Sequence, residues 1–230
     1  MLNLLSFDMS MQACSVALMQ DDLVFSISEP ALRQQSRHVL SMIKHLLADA
    51  GISFSQLDGV AFGRGPGSFT GVRLSASVAQ AIAFSKDLPI FPVSTLQALA
   101  QKIYIDFDAE LICVALNAYA GDIYTGTYQK TVQPIVQIVS DERRCLPSEL
   151  SFAGDALKVC AAAGDGWSVY ADVLKDQIPV RAQLYSDCLP HAKEIARIAK
   201  VDFEYGRFTA LKDALPSYLY RGNMWKKLAD

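Results

Sequence analysis

Apolar residues recur at two different periods along this chain, and each change of period marks an element. Leu2 to Phe7, Ala13 to Met19 and Leu23 to Ile27 are short apolar runs. The gaps between them, Ser10-Met11-Gln12 and Gln20-Asp21-Asp22, are of hairpin length and predict three adjacent antiparallel strands. From Ser36 to Ala50 the period lengthens. Val39, Met42, Ile43, Leu46, Leu47 and Ala50 recur three and four apart, with Arg37, Lys44, His45 and Asp49 mostly off that stripe. This predicts an amphipathic helix that Ser36 opens and Gly51 closes. Leu57 to Phe62 reads as a buried strand, Gly71 to Ser85 as a helix, Pro89 to Val93 as a strand, and Ser94-Thr95 as the cap of another helix.

The order β-β-β-α-β-α-β-α completes a first half. Three strands then recur, at Leu111 to Leu116, Asp122 to Tyr128 and Gln133 to Val139, with Asn117 to Gly121 as the first turn. Beyond them the pattern thins. Ala153-Gly154-Asp155-Ala156 joins a short strand to a short helix, and Pro190 to Lys200 is a helix with proline in its first turn. An α/β fold is expected, with one lobe over 1–105 and a shortened second lobe over 106–230.

Composition narrows the function classes. At 51% apolar, the 230 residues can fill two cores. A formal charge of −3 argues against non-specific nucleic-acid binding by this chain alone. The five cysteines are scattered, without a C-x-x-C pair, as expected of unpaired thiols in a reducing cytosol. No run approaches the ~18 apolar residues that a membrane span requires. Nor does a basic region precede an apolar run at the start, so no signal peptide is expected.

The densest punctuation is Gly63-Arg64-Gly65-Pro66-Gly67-Ser68-Phe69-Thr70-Gly71-Val72-Arg73, between a predicted strand and a predicted helix. Such a layout gathers backbone N–H groups at a helix N-terminus. Ser68 and Thr70 are the candidate caps. The stretch matches neither nucleotide fingerprint. Five positions after Gly65 stands Thr70, and no lysine follows it until Lys86. After Gly63-x-Gly65 the next fingerprint position is Ser68. The helix that follows has no charge from Leu74 to Ser85, and seven of those twelve residues are Ala or Ser. It reads either as a central core helix or as one that also meets another subunit.

Two further candidates come from single residues. Asp8, with Ser10 two residues on, is either a turn residue bonding nearby backbone or a carboxylate facing a phosphate or metal. His38 and His45 lie seven apart, without a third ligand, as on a solvated face. The tail from Pro216 to Leu228 interleaves aromatic and basic residues, as a partner contact or a cover on the core.

Two halves that each open with three strands, the Asp8-Met9-Ser10 turn, and Gly65 to Arg73 before a small-residue helix resemble the TsaB (YeaZ) family. These are bacterial tRNA threonylcarbamoyladenosine biosynthesis proteins. Gln35-Ser36-Arg37-His38, Val93-Ser94-Thr95-Leu96 and Tyr218-Leu219-Tyr220-Arg221 extend the resemblance over most of the chain. It implies the two-lobed actin/hexokinase/Hsp70-like (ASKHA) fold. It also implies a cytoplasmic scaffold that pairs with a metal-bearing catalytic subunit of the TsaD type. A TsaE-type ATPase joins them, and tRNA is reached only through the complex, whose product is modified adenosine 37. The related catalytic subunit carries His-x-x-x-His after the fifth strand, where this chain has Thr95 and Leu99. No catalytic residue, metal or cofactor is therefore expected, with weak nucleotide binding at the complex interface left open.

Two departures weaken any nucleotide site: Met9 where family members often have Thr, and Asn117-Ala118-Tyr119 where they often have Asp-Ala-Arg. By the same resemblance, the partner interface is expected on the first two helices. The expected set is Val39, Met42, Ile43, Leu46, Gly71, Leu74, Ser75, Ala76, Val78, Ala79 and Ile82. Alone, that face would make a homodimer. The glycine-rich loop set is Gly65, Pro66, Gly67, Ser68, Phe69, Thr70, Gly71 and Arg73, with Asp8 and Ser10 as a vestigial phosphate turn. The rival readings are an ATP-dependent phosphotransferase of the same superfold, a metallopeptidase-like protein and, last, a serine or cysteine hydrolase.

Overall fold

The computed structural model describes residues 1–30, 35–151, 161–178 and 182–221, with 35–37 as helix backbone alone. Five strands form the first sheet: β1 (Asn3–Asp8), β2 (Ala13–Gln20), β3 (Leu23–Pro30), β4 (Gly59–Gly63) and β5 (Ile90–Val93). Their order is β3-β2-β1-β4-β5. The two hairpin-length gaps produce antiparallel pairing, with Leu5 opposite Leu18 and Val16 opposite Ile27. β4 and β5 join in parallel after helical crossovers, as a parallel pair requires.

β1 is buried along its whole length because helices cover both of its faces. Leu5 and Phe7 pack with the inner faces of α1 (Gln35–Asp49) and α2 (Phe69–Lys86). Ser6, on the opposite face, donates to Ala192 O at 2.8 Å, and Ser15 Oγ accepts from Ala192 N at 3.0 Å. Those two bonds seat the start of α6 (Ala192–Glu204) on this sheet. The helix α1 ends as its sequence predicts, with Gly51 at positive φ and Ile52 N donating to Leu47 O.

The second sheet repeats the plan. β6 (Leu111–Asn117), β7 (Ile123–Gln129), β8 (Gln137–Ile138), β9 (Arg143–Cys145), β10 (Ala161–Ala163) and β11 (Gln183–Tyr185) run β11-β10-β6-β7-β8, with β9 also paired to β7. β6–β7 is antiparallel and β6–β10–β11 is parallel, which reproduces the pairing of β1, β2, β4 and β5. The abbreviation is visible between β10 and β11. Where the first unit has the 18-residue α2, the second has α4 (Gly166–Val169) and α5 (Ala171–Leu174), four residues each. Trp167 and Leu174 fill the small core between that pair and β6. Each unit is thus an α/β layer of one mixed sheet with helices, and the second is a reduced version of the first.

Two expectations need correction. The predicted third strand of the second half, Gln133 to Val139, is mostly turn and contributes only β8, because Thr131 closes a tight loop by accepting from Gln133 N. Arg143–Cys145 takes the remaining edge of β7 as β9. The chain also divides differently from 1–105 and 106–230. One unit is Met1–Ala98 with Pro190–Ser217, the other Leu99–Leu189 with Tyr218–Asp230. The division falls inside α3 (Thr95–Phe107), whose buried Gln101 donates to Pro134 O at 2.9 Å and accepts from Val136 N at 2.8 Å. Those bonds tie the later part of α3 to the second unit. The strand-to-helix join expected at Ala153–Ala156 and the tail from Met224 to Leu228 lie outside the described residues.

Candidate functional site: a self-filled glycine turn and the outer face of the second helix

At the end of β1, Asp8 is 2% exposed. Its Oδ1 accepts from Ser10 N at 2.9 Å and its Oδ2 from Ser10 Oγ at 3.0 Å. Ser10 Oγ also lies 3.1 Å from Thr95 Oγ1. Burial pushes the Asp8 carboxyl above the usual range, opposed by the hydrogen bonds from Ser10 and from Met9 N–H. The carboxylate therefore does what a turn aspartate does, closing a loop onto its own chain. By the resemblance, a related subunit would carry an imidazole at the position of Thr95. The Thr95 hydroxyl is a poor donor for such a metal, and Leu99, fully buried, is none at all. The residues present do not fit that metal. Among the described residues no three His, Cys, Asp or Glu side chains group as a metal site. His38 meets Glu29 and His45 meets Asp49, each in a surface pair.

The glycine-rich turn packs against this same loop. A Cβ on Gly63 would stand 2.4 Å from Asp8 Oδ1, one on Gly67 2.4 Å from Ser10 O, and one on Gly71 1.9 Å from Met9 O. Ser68 N donates to Ser10 O at 2.7 Å, Thr95 N to Gly65 O at 3.0 Å, and Met9 N to Ser75 Oγ at 3.2 Å. The space that glycine leaves in a phosphate loop is filled here by the backbone of residues 9 and 10. Of the two candidate caps, Ser68 takes the part: its Oγ accepts from Gly71 N at 3.4 Å. Thr70 is exposed in the first turn of α2. Pro66 is buried behind the turn and joined to Gly65 by a cis peptide.

The expected interface residues lie elsewhere than expected. Val39, Met42, Ile43 and Leu46 of α1 are buried against the first sheet, as are Ala76, Val78, Ala79 and Ile82 of α2. Gly71 and Ser75 are buried too, and Leu74 is half-buried against the same core. The apolar stripe was correctly located, but a stripe selected by periodicity is the inward one. Ten of these eleven residues are interior and Leu74 is half-buried, so the set holds the unit together.

What α2 presents outward is Phe69, Arg73, Ser77, Ala81 and Phe84, in steps of four and then three residues. Phe69 is 58% and Phe84 78% exposed, and the Arg73 guanidinium lies 3.6 Å over the Phe69 ring. Leu40 of α1 is also exposed. Thus α2 carries an uncharged centre of Ser77 and Ala81 between two aromatic ends. Beside it, Gln80 Nε2 donates to Leu211 O and Ala214 O, so the flank toward residues 210–214 is occupied. Ser77, Ala81 and Phe84 escaped the sequence reading, although the missing charge from Leu74 to Ser85 was the signal for them.

The second unit has its own version of the β1 turn. Asn117, at the end of β6, accepts from Tyr119 N at 2.9 Å and from Tyr170 Oη at 3.0 Å, while its own N donates to Asp165 Oδ1 at 2.9 Å. Burial raises the Asp165 carboxyl above its ordinary range. Asp165 carried no recognisable pattern in the sequence, because its partner lies 48 residues away.

Comparison with known proteins agrees with this architecture. Residues 27–203 match the family model described as TsaD, tRNA N6-adenosine threonylcarbamoyltransferase. The tRNA threonylcarbamoyladenosine biosynthesis protein TsaB of Haemophilus influenzae is 34% identical over 99% of this chain and 97% of its own. That of Escherichia coli K12 is 32% identical over 99% and 98%. The solved structure of YeaZ from Pseudomonas aeruginosa superposes with a TM-score of 0.86 at 34% identity, covering 95% of this chain and all of that one. A second Pseudomonas aeruginosa structure, described as an uncharacterized protein with similarity to peptidase YeaZ, gives 0.88 at 35% identity over 96% and 100%. With matches of this extent in sequence and in structure, the chain belongs to the TsaB (YeaZ) family.

Proposed function

We propose that this chain is a non-catalytic scaffold subunit required to make threonylcarbamoyladenosine at adenosine 37 of tRNA. It pairs with a catalytic subunit of the TsaD type and a TsaE-type ATPase, and reaches tRNA through that assembly in the cytoplasm. The observation that carries this reading is the glycine turn filled by Met9 and Ser10. Its hydroxyls and carboxylate are spent on one another, so the chain offers no poised nucleophile, base or metal ligand there. No helix among the described residues is long and apolar enough to cross a membrane.

The contact surface is the outward stripe of α2 with Leu40 of α1. Exposed aromatics around a small-residue centre admit a helix from another subunit at close range. A partner interface of ordinary size buries ~1,600 Å² in all, more than the stripe alone supplies, so neighbouring loops must contribute. In the absence of the catalytic subunit the same stripe supports a homodimer. Any nucleotide is held weakly, at the interface with the catalytic subunit. The test is nucleoside mass spectrometry of tRNA from cells depleted of the endogenous subunit. The modified nucleoside should disappear and return when this chain is expressed. Full modification in depleted cells without it would refute the assignment.

A further inference from the structure

In the turn between β6 and β7, Asp122 is nearly buried yet holds two guanidinium groups. Arg144 Nε donates to its Oδ2 at 2.7 Å and Arg221 Nη1 to its Oδ1 at 3.1 Å. One carboxylate between two arginines leaves a local excess of one positive charge, on a chain whose formal charge is −3. Each guanidinium uses one N–H on Asp122 and keeps the rest of its fork and its planar face. Arg144 sits on β9 directly opposite Tyr124 of β7. Tyr124 in turn feels Arg144, Asp122 and Tyr220, which places those four groups together.

Exposed rings surround this triad. Tyr220 is 46% exposed and lies 6.5 Å, centroid to centroid, from Tyr218. Tyr119, whose carbonyl accepts from Asp122 N at 3.2 Å, is 59% exposed and held at positive φ. A non-glycine residue in that conformation is uncommon, and a second, Ala120, follows it. The turn thus holds an aromatic ring outward beside two fixed guanidiniums.

We propose that Tyr119, Tyr220, Arg144 and Arg221 form a platform for unpaired RNA nucleotides. Tyrosine rings and arginine planes stack on splayed bases, while leftover guanidinium N–H groups reach phosphate or base edges. The low local charge disfavours duplex binding, which relies on many phosphate contacts. An acidic peptide would use the charge but not three tyrosine rings, so the rings favour RNA. The inference rests on the tRNA-modifying role proposed above and adds to it a direct contact by this subunit.

The test uses the full chain and a fluorescein-labelled RNA hairpin with an open loop, followed by anisotropy. Its controls are the same stem as a blunt duplex and a poly-glutamate peptide. The loop hairpin should bind more tightly than the duplex. Tyr119→Ala and Arg221→Ala should each weaken it by about five- to a hundredfold, the range seen for one stacked base. Asp122→Asn adds net positive charge yet should also weaken loop binding, because it releases both guanidiniums. Equal affinity for loop and duplex, tighter binding by Asp122→Asn, unchanged binding by the two alanine variants, or displacement of RNA by poly-glutamate at equal concentration would each overturn the platform. If the platform fails while the wild-type chain still restores tRNA modification in depleted cells, the inference falls alone. If the wild-type chain does not restore it, the proposed function falls first.

Discussion

The α-carbon of Gly71 faces the carbonyl oxygen of Met9 so closely that a Cβ would stand 1.9 Å from it. Both partners are backbone, in a helix N-terminus and a strand-end loop, so neither yields as a flexible side chain would. Gly71→Ala should therefore destabilise the chain by about 3 kcal/mol or more. Denaturant unfolding monitored by circular dichroism measures it. Gly51→Ala is the control. There a Cβ meets nothing within 4 Å, and only the positive φ counts against it, for about 1–2 kcal/mol.

Asp8 gives a pH dependence of unusual sign. Burial raises its carboxyl in the folded state above the unfolded value. Between those two values the folded protein binds more protons than the unfolded one, so this residue makes stability fall as pH rises. Asp8→Asn removes the ionisation and keeps an oxygen to accept from Ser10 N, as Asn117 does from Tyr119 N in the other unit. The variant should gain stability relative to the wild type as pH climbs from about 4. Paired thermal melts across pH check this, and a difference that shrinks over that rise would contradict it.

Gln101 ties α3 to the loop before β8 through both ends of its amide. Gln101→Leu removes the acceptor that the buried Val136 N uses, a cost of about 1–3 kcal/mol, while Pro134, an exposed residue, can turn its carbonyl to water. Hydrogen exchange at the Val136 amide should accelerate while amides in β1 stay protected. Uniform acceleration across both units would mean that the bond does not act locally.

Much of this was legible in the sequence because period and turn chemistry are local. The three opening strands, α1 with its Gly51 stop, and the strand, turn and helix around Gly63 all lie within a few residues of their predicted bounds. What was not legible depends on distant pairing. The return of α6 to the first sheet rests on Ser6 and Ser15 meeting Ala192, 186 and 177 residues along the chain. The Asp165 contact to Asn117 and the two-arginine clasp on Asp122 are long-range in the same way. The interface error has a different cause. Periodicity finds the apolar face of a helix, and in this fold that face already has a sheet to cover.

Moving the contact surface outward changes which substitutions inform. Ala76→Arg and Ala79→Arg place a charge in the core and should unfold the first unit, at about 4 kcal/mol or more. Ser77→Arg and Ala81→Arg lie on the exposed stripe and should leave stability within about 0.5 kcal/mol of the wild type.

Co-purification of the tagged chain with a TsaD-type catalytic subunit, wild type against Ala81→Arg, therefore tests the scaffold account most directly. The wild type should retain the catalytic subunit, and the variant, folded and equally stable, should lose it. Equal recovery by the two proteins would contradict the account and remove the outer face of α2 from the assembly.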